Sequence, residues 1–90
     1  MPTPAAQPTV CPTLENAAAH VCTVLAKPDR PPFLDLVVAK DVRGRLATSA
    51  QLERAIRAEA GGRAPPPSLR RLSVELAGFA PEGPRFVVRL

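Results

Sequence analysis

The N-terminal third of the chain contains a segment with the apolar spacing of an amphipathic helix. Segment 13–25 begins beside Pro12, which a first helical turn tolerates, and ends before Pro28, which cannot continue a helix. Its apolar positions follow the i, i+4, i+7, i+8, i+11 spacing of a single helical face. They are Leu14, Ala18, Val21, Cys22 and Leu25. The spacing predicts a helix with one face in the core.

A second helix is predicted over 48–60, and its start is the clearest local signal in the sequence. Thr48 is followed three residues later by Gln51, which is the spacing of a capping box. The apolar residues that follow again share one helical face. Segment 61–68, GGRAPPPS, is rich in glycine and proline, so it predicts the end of the helix and a linker.

Three longer segments predict β-strands. Segment 33–40 is apolar on both faces apart from Asp35, which is typical of a strand covered on both sides. Segments 70–79 and 85–90 alternate apolar and polar residues, which indicates strands with one buried face. Because only the loop APEGP separates these two segments, they predict an antiparallel hairpin. A short strand is also predicted over 45–47.

The resulting order, α-β-(β)-α-β-β, predicts an α+β two-layer sandwich with two helices on a three- or four-stranded, mostly antiparallel sheet. The N-terminal stretch MPTPAAQPTV has three prolines and no charged side chain, so it predicts a disordered tail over 1–11. Residues 12–90 then form a single small domain. A core of about eighty residues contributes few kcal/mol, so we expect the domain to associate with a partner or with itself.

The excess of basic over acidic residues indicates which classes of partner the chain could bind. The net charge is +4, and ten of the twelve cationic residues are arginines. A basic chain can bind nucleic acid or an acidic protein surface. The abundance of Ala, Arg, Pro, Gly and Val is also the composition that a GC-rich genome produces. There is no long apolar run and no secretory-signal pattern, so we expect a cytoplasmic protein without membrane contact.

Reactive side chains are clustered in one stretch, but their spacing argues against joint chemistry. On one helix, Cys11 and Cys22 would be separated by roughly 16 Å along the axis, whereas a disulfide requires Cα atoms within about 7 Å. His20 and Cys22 project to different sides of a helix, and no CxxC or HxxxH pattern occurs. The sequence therefore predicts no metal, no cofactor and no enzyme. We expect Cys22 to be buried, and Cys11 to lie near the surface at a helix start, where its pKa would be lowered.

The C-terminal hairpin provides the candidate binding residues. Its alternation places Arg71, Arg85 and Arg89 outward, with Val87 between the last two and Arg70 at the rim. Guanidinium groups bind both carboxylates and phosphates. We therefore predict a non-catalytic protein-interaction or self-association module that uses the basic face of this hairpin, with a terminal strand at the sheet edge and a homo-oligomeric state. The alternative is a nucleic-acid-binding accessory domain that contacts phosphates, although the chain has no Trp and no Tyr to stack on bases.

A resemblance implies a third function. The element order and the turn DVRG, at 41–44, before a capped helix resemble the small C-terminal domain of phenylacetate–CoA ligase-like adenylating enzymes over residues 13–90. The resemblance implies that the chain is a subdomain of a larger adenylate-forming enzyme. Such domains usually carry a glycine–lysine pair near the C-terminus. Here Arg85 follows Gly83-Pro84 instead, so no catalytic residue is transferred.

Overall fold

The computed structural model describes residues 8–29, 31–61 and 71–90. Most of the predicted linker 61–68 and the first seven residues of the predicted tail lie outside this part of the chain. The strands of the described part are β1 (Thr9–Cys11), β2 (Phe33–Val38), β3 (Ser73–Phe79) and β4 (Pro84–Arg89), and the helices are α1 (Leu14–Leu25) and α2 (Ser49–Gly61). Both helices therefore lie where the apolar spacing predicts them.

The four strands form one mixed sheet in the order β1-β2-β4-β3. β1 runs parallel to β2, while β4 is antiparallel to both of its neighbours, β2 and β3. One core contains side chains from both helices and from a single face of the sheet, which confirms the α+β two-layer sandwich. The smallest Cα extent is 17 Å, which corresponds to one helical layer on one sheet.

The fourth strand is β1 and not the segment predicted over 45–47. Residues 45–47 form an irregular loop before α2. Thr9–Cys11, which sequence analysis assigned to the disordered tail, pair in register with Leu36–Val38. The tail prediction is therefore wrong for these three residues, because their pairing partner lies far away in the sequence.

Side-chain caps fix the first residue of each helix. The backbone N–H of Asn16 donates to Thr13 Oγ1 at 3.1 Å at the start of α1. At the start of α2 the predicted capping box is complete. Gln51 N–H donates to Thr48 Oγ1 at 3.1 Å, and Thr48 N–H donates to Gln51 Oε1 at 3.0 Å. Each bond satisfies a backbone donor that has no partner inside its helix.

The core lies between the helices and the inner face of the sheet. Phe86, Leu36 and Val88 of the sheet are fully buried against Leu52 and Ile56 of α2. The helices cover β3 less completely towards the end of the strand. Leu76 is 50% exposed, although the alternation predicts that its side chain points into the core. The reason is that β3 lies at the sheet edge, so its second half extends past the helical layer.

Candidate interaction surface

The C-terminal hairpin consists of β3 and β4, and its two strands differ in accessibility. The turn is closed by two backbone hydrogen bonds between Ala80 and Gly83, at 2.8 and 3.1 Å. β4 lies between β2 and β3, so the prediction that the terminal strand is a sheet edge is wrong. β3 is the edge strand instead, because β4 lies between β3 and β2. The order of the strands in the sequence does not indicate this arrangement.

One face of this sheet, which we call the outer face, points away from the helices. The strand register shows which side chains share it, since residues directly opposite each other in an antiparallel pair point to the same side. On the three antiparallel strands they are Phe33, Asp35 and Val37 of β2, Ser73 and Glu75 of β3, and Arg85, Val87 and Arg89 of β4. The structure thus brings three of the five sequence-predicted binding residues together.

The other two predicted binding residues are not part of this ladder. Arg71 is exposed and has a 3-10 conformation two residues before β3 begins. Arg70 lies outside the described residues. The surface that the strands themselves define therefore contains Arg85, Val87 and Arg89, together with carboxylates that the sequence analysis did not include.

Arg85 is engaged with a carboxylate of the neighbouring strand. Its Nε donates to Asp35 Oδ1 at 2.8 Å, and its Nη2 donates to Asp35 Oδ2, so the pair is bidentate. The hydrogen bond and the charge of the guanidinium lower the pKa of Asp35, and the same contacts raise the pKa of Arg85. The two charges neutralise each other, which leaves Arg85 poorly suited to bind a phosphate.

Arg89 and Glu75 are the remaining charges on the outer face. Both are exposed, and neither forms an ion pair with another residue in the described part of the chain. Arg89 lies directly opposite Ser73, and Glu75 follows two residues later on β3. The strand residues of this face thus include two arginines and two carboxylates. The charges of these strand residues sum to zero, because Asp35 of β2 and Glu75 of β3 offset the two arginines of β4.

An apolar strip runs beside these charges. Phe33 is 55% exposed, although sequence analysis placed it at the start of a core strand. It points outward because it lies directly opposite Arg89 in the β2–β4 register. Pro32, Phe33, Val87 and Leu90 line a shallow groove together with Arg89. The outer face therefore combines exposed apolar area with one unpaired charge of each sign.

A second concave region lies at the N-terminal ends of α1 and α2. It is a cleft of about 530 Å³ bordered by the loop between β2 and α2. Asp41 Oδ1 accepts from the backbone N–H of Arg43 at 2.8 Å and of Arg45 at 3.0 Å, and its Oδ2 accepts from Arg45 Nε at 2.7 Å. The backbone hydrogen bond from Arg45 is the main cause of the lowered pKa of Asp41. The predicted DVRG turn is thus held by its own aspartate.

The stretch that contains the two cysteines and the histidine does not form a chemical site. Cys11 lies in β1, is 4% exposed and faces the core, so burial raises the pKa of its thiol. The prediction of a surface thiol with a lowered pKa is wrong, because Cys11 belongs to a strand and not to a helix start. Cys22 is half-buried, and its Sγ–H donates to the carbonyl oxygen of Ile56 at 3.7 Å. Both cysteines are thiols, and no metal-binding group of His, Cys, Asp and Glu occurs in the described residues.

Comparison of the chain with protein-family models, with curated proteins and with solved structures found no match. No helix within the described residues is long and apolar enough to cross a membrane.

The Asp35–Arg85 pair predicts a pH dependence of stability. Folding lowers the pKa of Asp35 and of Asp41 from the ordinary value of 3.8, so their stabilising contribution is complete above that pH and is lost as the pH falls through the folded-state values. We expect Asp35→Asn to decrease the free energy of unfolding at neutral pH by about 1 kcal/mol. The acid-induced loss of stability should also become shallower than in the wild type.

Urea denaturation at a series of pH values between neutral and strongly acidic tests this prediction, because it measures the free energy of unfolding at each pH. Asp29→Asn is a matched control, because Asp29 is exposed in the loop after α1 and forms no ion pair within the described residues. An Asp35→Asn variant with the wild-type pH dependence would show that the pair does not contribute to folding.

Proposed function

We propose that the chain is a non-catalytic self-association module, and that its C-terminal hairpin contacts a second copy of the chain. The observation that carries this proposal is the charge pattern of the outer face, where Arg89 and Glu75 are unpaired and of opposite sign. In a two-fold dimer each copy contributes the same patch, so a patch with one unpaired charge of each sign is complementary to itself. We place this association in the cytoplasm.

The two-layer architecture supplies a second argument. The helices cover the inner face of the described sheet incompletely, so Leu76 of the edge strand β3 remains 50% exposed. Removing apolar surface from water stabilises by about 25 cal/mol per Å². A small domain with one layer of helices has few other ways to increase its stability, and association with a second copy is one of them.

Nucleic-acid binding by the same arginines has less support from the geometry. Exposed Phe33 beside Arg89 favours it, because one aromatic ring and one guanidinium can stack on a base and contact a phosphate. Against it, Arg85 is occupied by Asp35, and the carboxylate of Glu75 lies on the same face. Phosphate binding requires a surplus of cations, which the strand residues of the outer face do not provide.

The experiment that tests this proposal is a measurement of solution mass over a wide range of protein concentration. The chain contains no Trp and no Tyr, so sedimentation should be followed by interference optics and not by absorbance at 280 nm. We expect the mass to rise from the 9.5 kDa of the monomer towards twice that value. The melting temperature should rise with concentration as well.

Charge variants connect the association to the hairpin. Arg89→Ala should weaken the dimer, whereas Arg43→Ala removes the same charge from the β2–α2 loop and should leave the dimer unchanged. A mass that stays at 9.5 kDa at the highest concentration would contradict the proposal. Binding of a single-stranded oligonucleotide that weakens steeply with added salt would support the alternative.

A further inference from the structure

We propose that the second copy pairs along the free edge of β3, so that the two four-stranded sheets become one continuous eight-stranded sheet. This inference rests on the proposed self-association. It specifies which strand of each copy pairs, in which register, and through which side chains. An edge strand presents unpaired backbone N–H and C=O groups that form a sheet with another strand of suitable sequence.

β3 is better suited to such pairing than the other edge of the described sheet. It has seven residues and, among the described residues, pairs only with β4, whereas β1 at the opposite edge has three residues. Natural edge strands are usually protected by lysine, proline or a bulge. β3 contains no lysine and no proline, its only charged residue is Glu75, and its bulge lies between Leu76 and Gly78. The first half of β3 is therefore a regular and unprotected edge.

Symmetry limits the register of this pairing. A two-fold axis perpendicular to the sheet keeps the helices of both copies on one side, and it passes midway between one residue of β3 and the same residue of the second copy. An axis at Glu75 would place the two Glu75 carboxylates opposite each other. An axis at Leu76 would extend the pairing across the bulge, and an axis at Ser73 would require an extended Arg71, which has a 3-10 conformation. The register centred on Val74 avoids all three conflicts.

This register aligns the unpaired charges of the outer face. Ser73 of one copy then lies opposite Glu75 of the second copy, and Arg89 lies directly behind Ser73 on β4. The Cα atoms of Arg89 and of Glu75 of the second copy are separated by two strand spacings, about 9–10 Å. Extended arginine and glutamate side chains span this distance above the small serine. Two symmetric ion pairs therefore form, and each joins the two copies.

The inner side of the same register is entirely apolar. Val74 meets Val74 of the second copy, and Leu76 meets Leu72 of the second copy. Leu76 is 50% exposed in the single chain, so the pairing covers the apolar residue that extends past the helical layer. The backbone, the charges and the apolar side chains of β3 thus support the same arrangement.

Charge reversal tests the inference directly. Arg89→Glu and Glu75→Arg each place like charges at both symmetric contacts, so each variant alone should dimerise on the order of 10- to 100-fold more weakly than the wild type. In an equimolar mixture of the two variants, a mixed dimer has opposite charges at both contacts. We therefore expect the mixture to regain dimerisation close to that of the wild type, measured by sedimentation and by native mass spectrometry.

The mixture separates contacts between copies from effects within a copy. If charge reversal acted only by disturbing the fold of each chain, mixing the variants would restore nothing, and far-UV circular dichroism would show the loss of structure. Variants that are folded but remain monomeric in the mixture would overturn the inference.

A different interface is detected by Phe33→Ser. Stacking of two outer faces would bury Phe33, whereas β3 pairing leaves it exposed, so we expect this variant to dimerise like the wild type. A dimer that Phe33→Ser disrupts and the charge reversals do not would overturn edge pairing while leaving self-association intact. A wild-type chain that stays monomeric at every concentration would overturn both proposals.

Discussion

Replacing Phe86 with alanine should lower the free energy of unfolding by about 3–5 kcal/mol, the usual cost of removing a buried aromatic ring. Phe86 is fully buried in the centre of β4, where it pairs with Leu36 on one side and with Leu76 on the other. A domain of this length has a total stability of roughly 5–13 kcal/mol. The loss is therefore about a quarter of the total stability or more, and a domain at the lower end of this range would be unfolded or close to it at 37 °C.

Urea denaturation followed by far-UV circular dichroism measures this effect, because the chain lacks the Trp and Tyr that fluorescence requires. Val87→Ala is the matched control, since Val87 is the next residue of β4 and points to the outer face. We expect it to cost less than about 1 kcal/mol. Equal losses in the two variants would show that the assignment of the two sheet faces is incorrect.

The second large effect is expected for Gly83→Ala, at the base of the hairpin turn. A Cβ atom at Gly83 would lie 2.1 Å from the carbonyl oxygen of Val38 and 3.2 Å from the backbone nitrogen of Lys40. Neither backbone atom can move freely, because Val38 ends β2 and Lys40 N–H donates to the carbonyl oxygen of Glu82 at 3.1 Å. The substitution must push the turn away from β2, at a cost of about 1–3 kcal/mol or more.

Gly61→Ala provides the comparison for this variant. Gly61 is the last residue of α2, and among the described residues no atom beyond its chain neighbours and the backbone of its own helix lies within 4 Å of a Cβ built there. Because alanine favours a helix over glycine by up to about 1 kcal/mol, we expect this variant to be as stable as the wild type or more so. Both melting temperatures can be measured by circular dichroism. A Gly83→Ala protein as stable as Gly61→Ala would contradict the close approach of the turn to β2.

The helices could be predicted from the sequence because their signals are local. Thr48 and Gln51 are three residues apart, so the capping box that starts α2 can be recognised from a four-residue stretch of the sequence. The apolar spacing of α1 is likewise contained within twelve residues. The capping hydrogen bonds and the apolar spacing lie within each helix, so they can be recognised without knowledge of the tertiary structure.

The strand order could not be predicted, because it depends on contacts between distant segments. β1 has three residues between Pro8 and Pro12, too few for an alternation to be recognised. Its stability as a strand comes from pairing with β2, beyond the whole of α1. The insertion of β4 between β2 and β3 is non-local in the same way, and it moves the free edge from the terminal strand to β3.

The candidate surface shows the same division between local and distant information. Alternation within β4 was sufficient to predict that Arg85 and Arg89 point outward. It carries no information on what lies beside them, and Asp35, fifty residues from Arg85, is the partner that neutralises it. Glu75 acquires its importance only from its position two residues after Ser73, the residue that lies opposite Arg89. Periodicity reveals the face of a strand, whereas the register determines the net charge of that face.

The short strand β1 shields the backbone of the most apolar strand of the sheet. β2 reads FLDLVV, and its outer edge is covered by three paired residues and by the hydrogen bond from Ala39 N–H to the carbonyl oxygen of Cys11 at 2.9 Å. Whenever β1 frays, that edge becomes available to other chains, and the Cys11 thiol reaches solvent at the same moment. The rate at which a thiol reagent modifies Cys11 therefore reports how often the protein is open to aggregation.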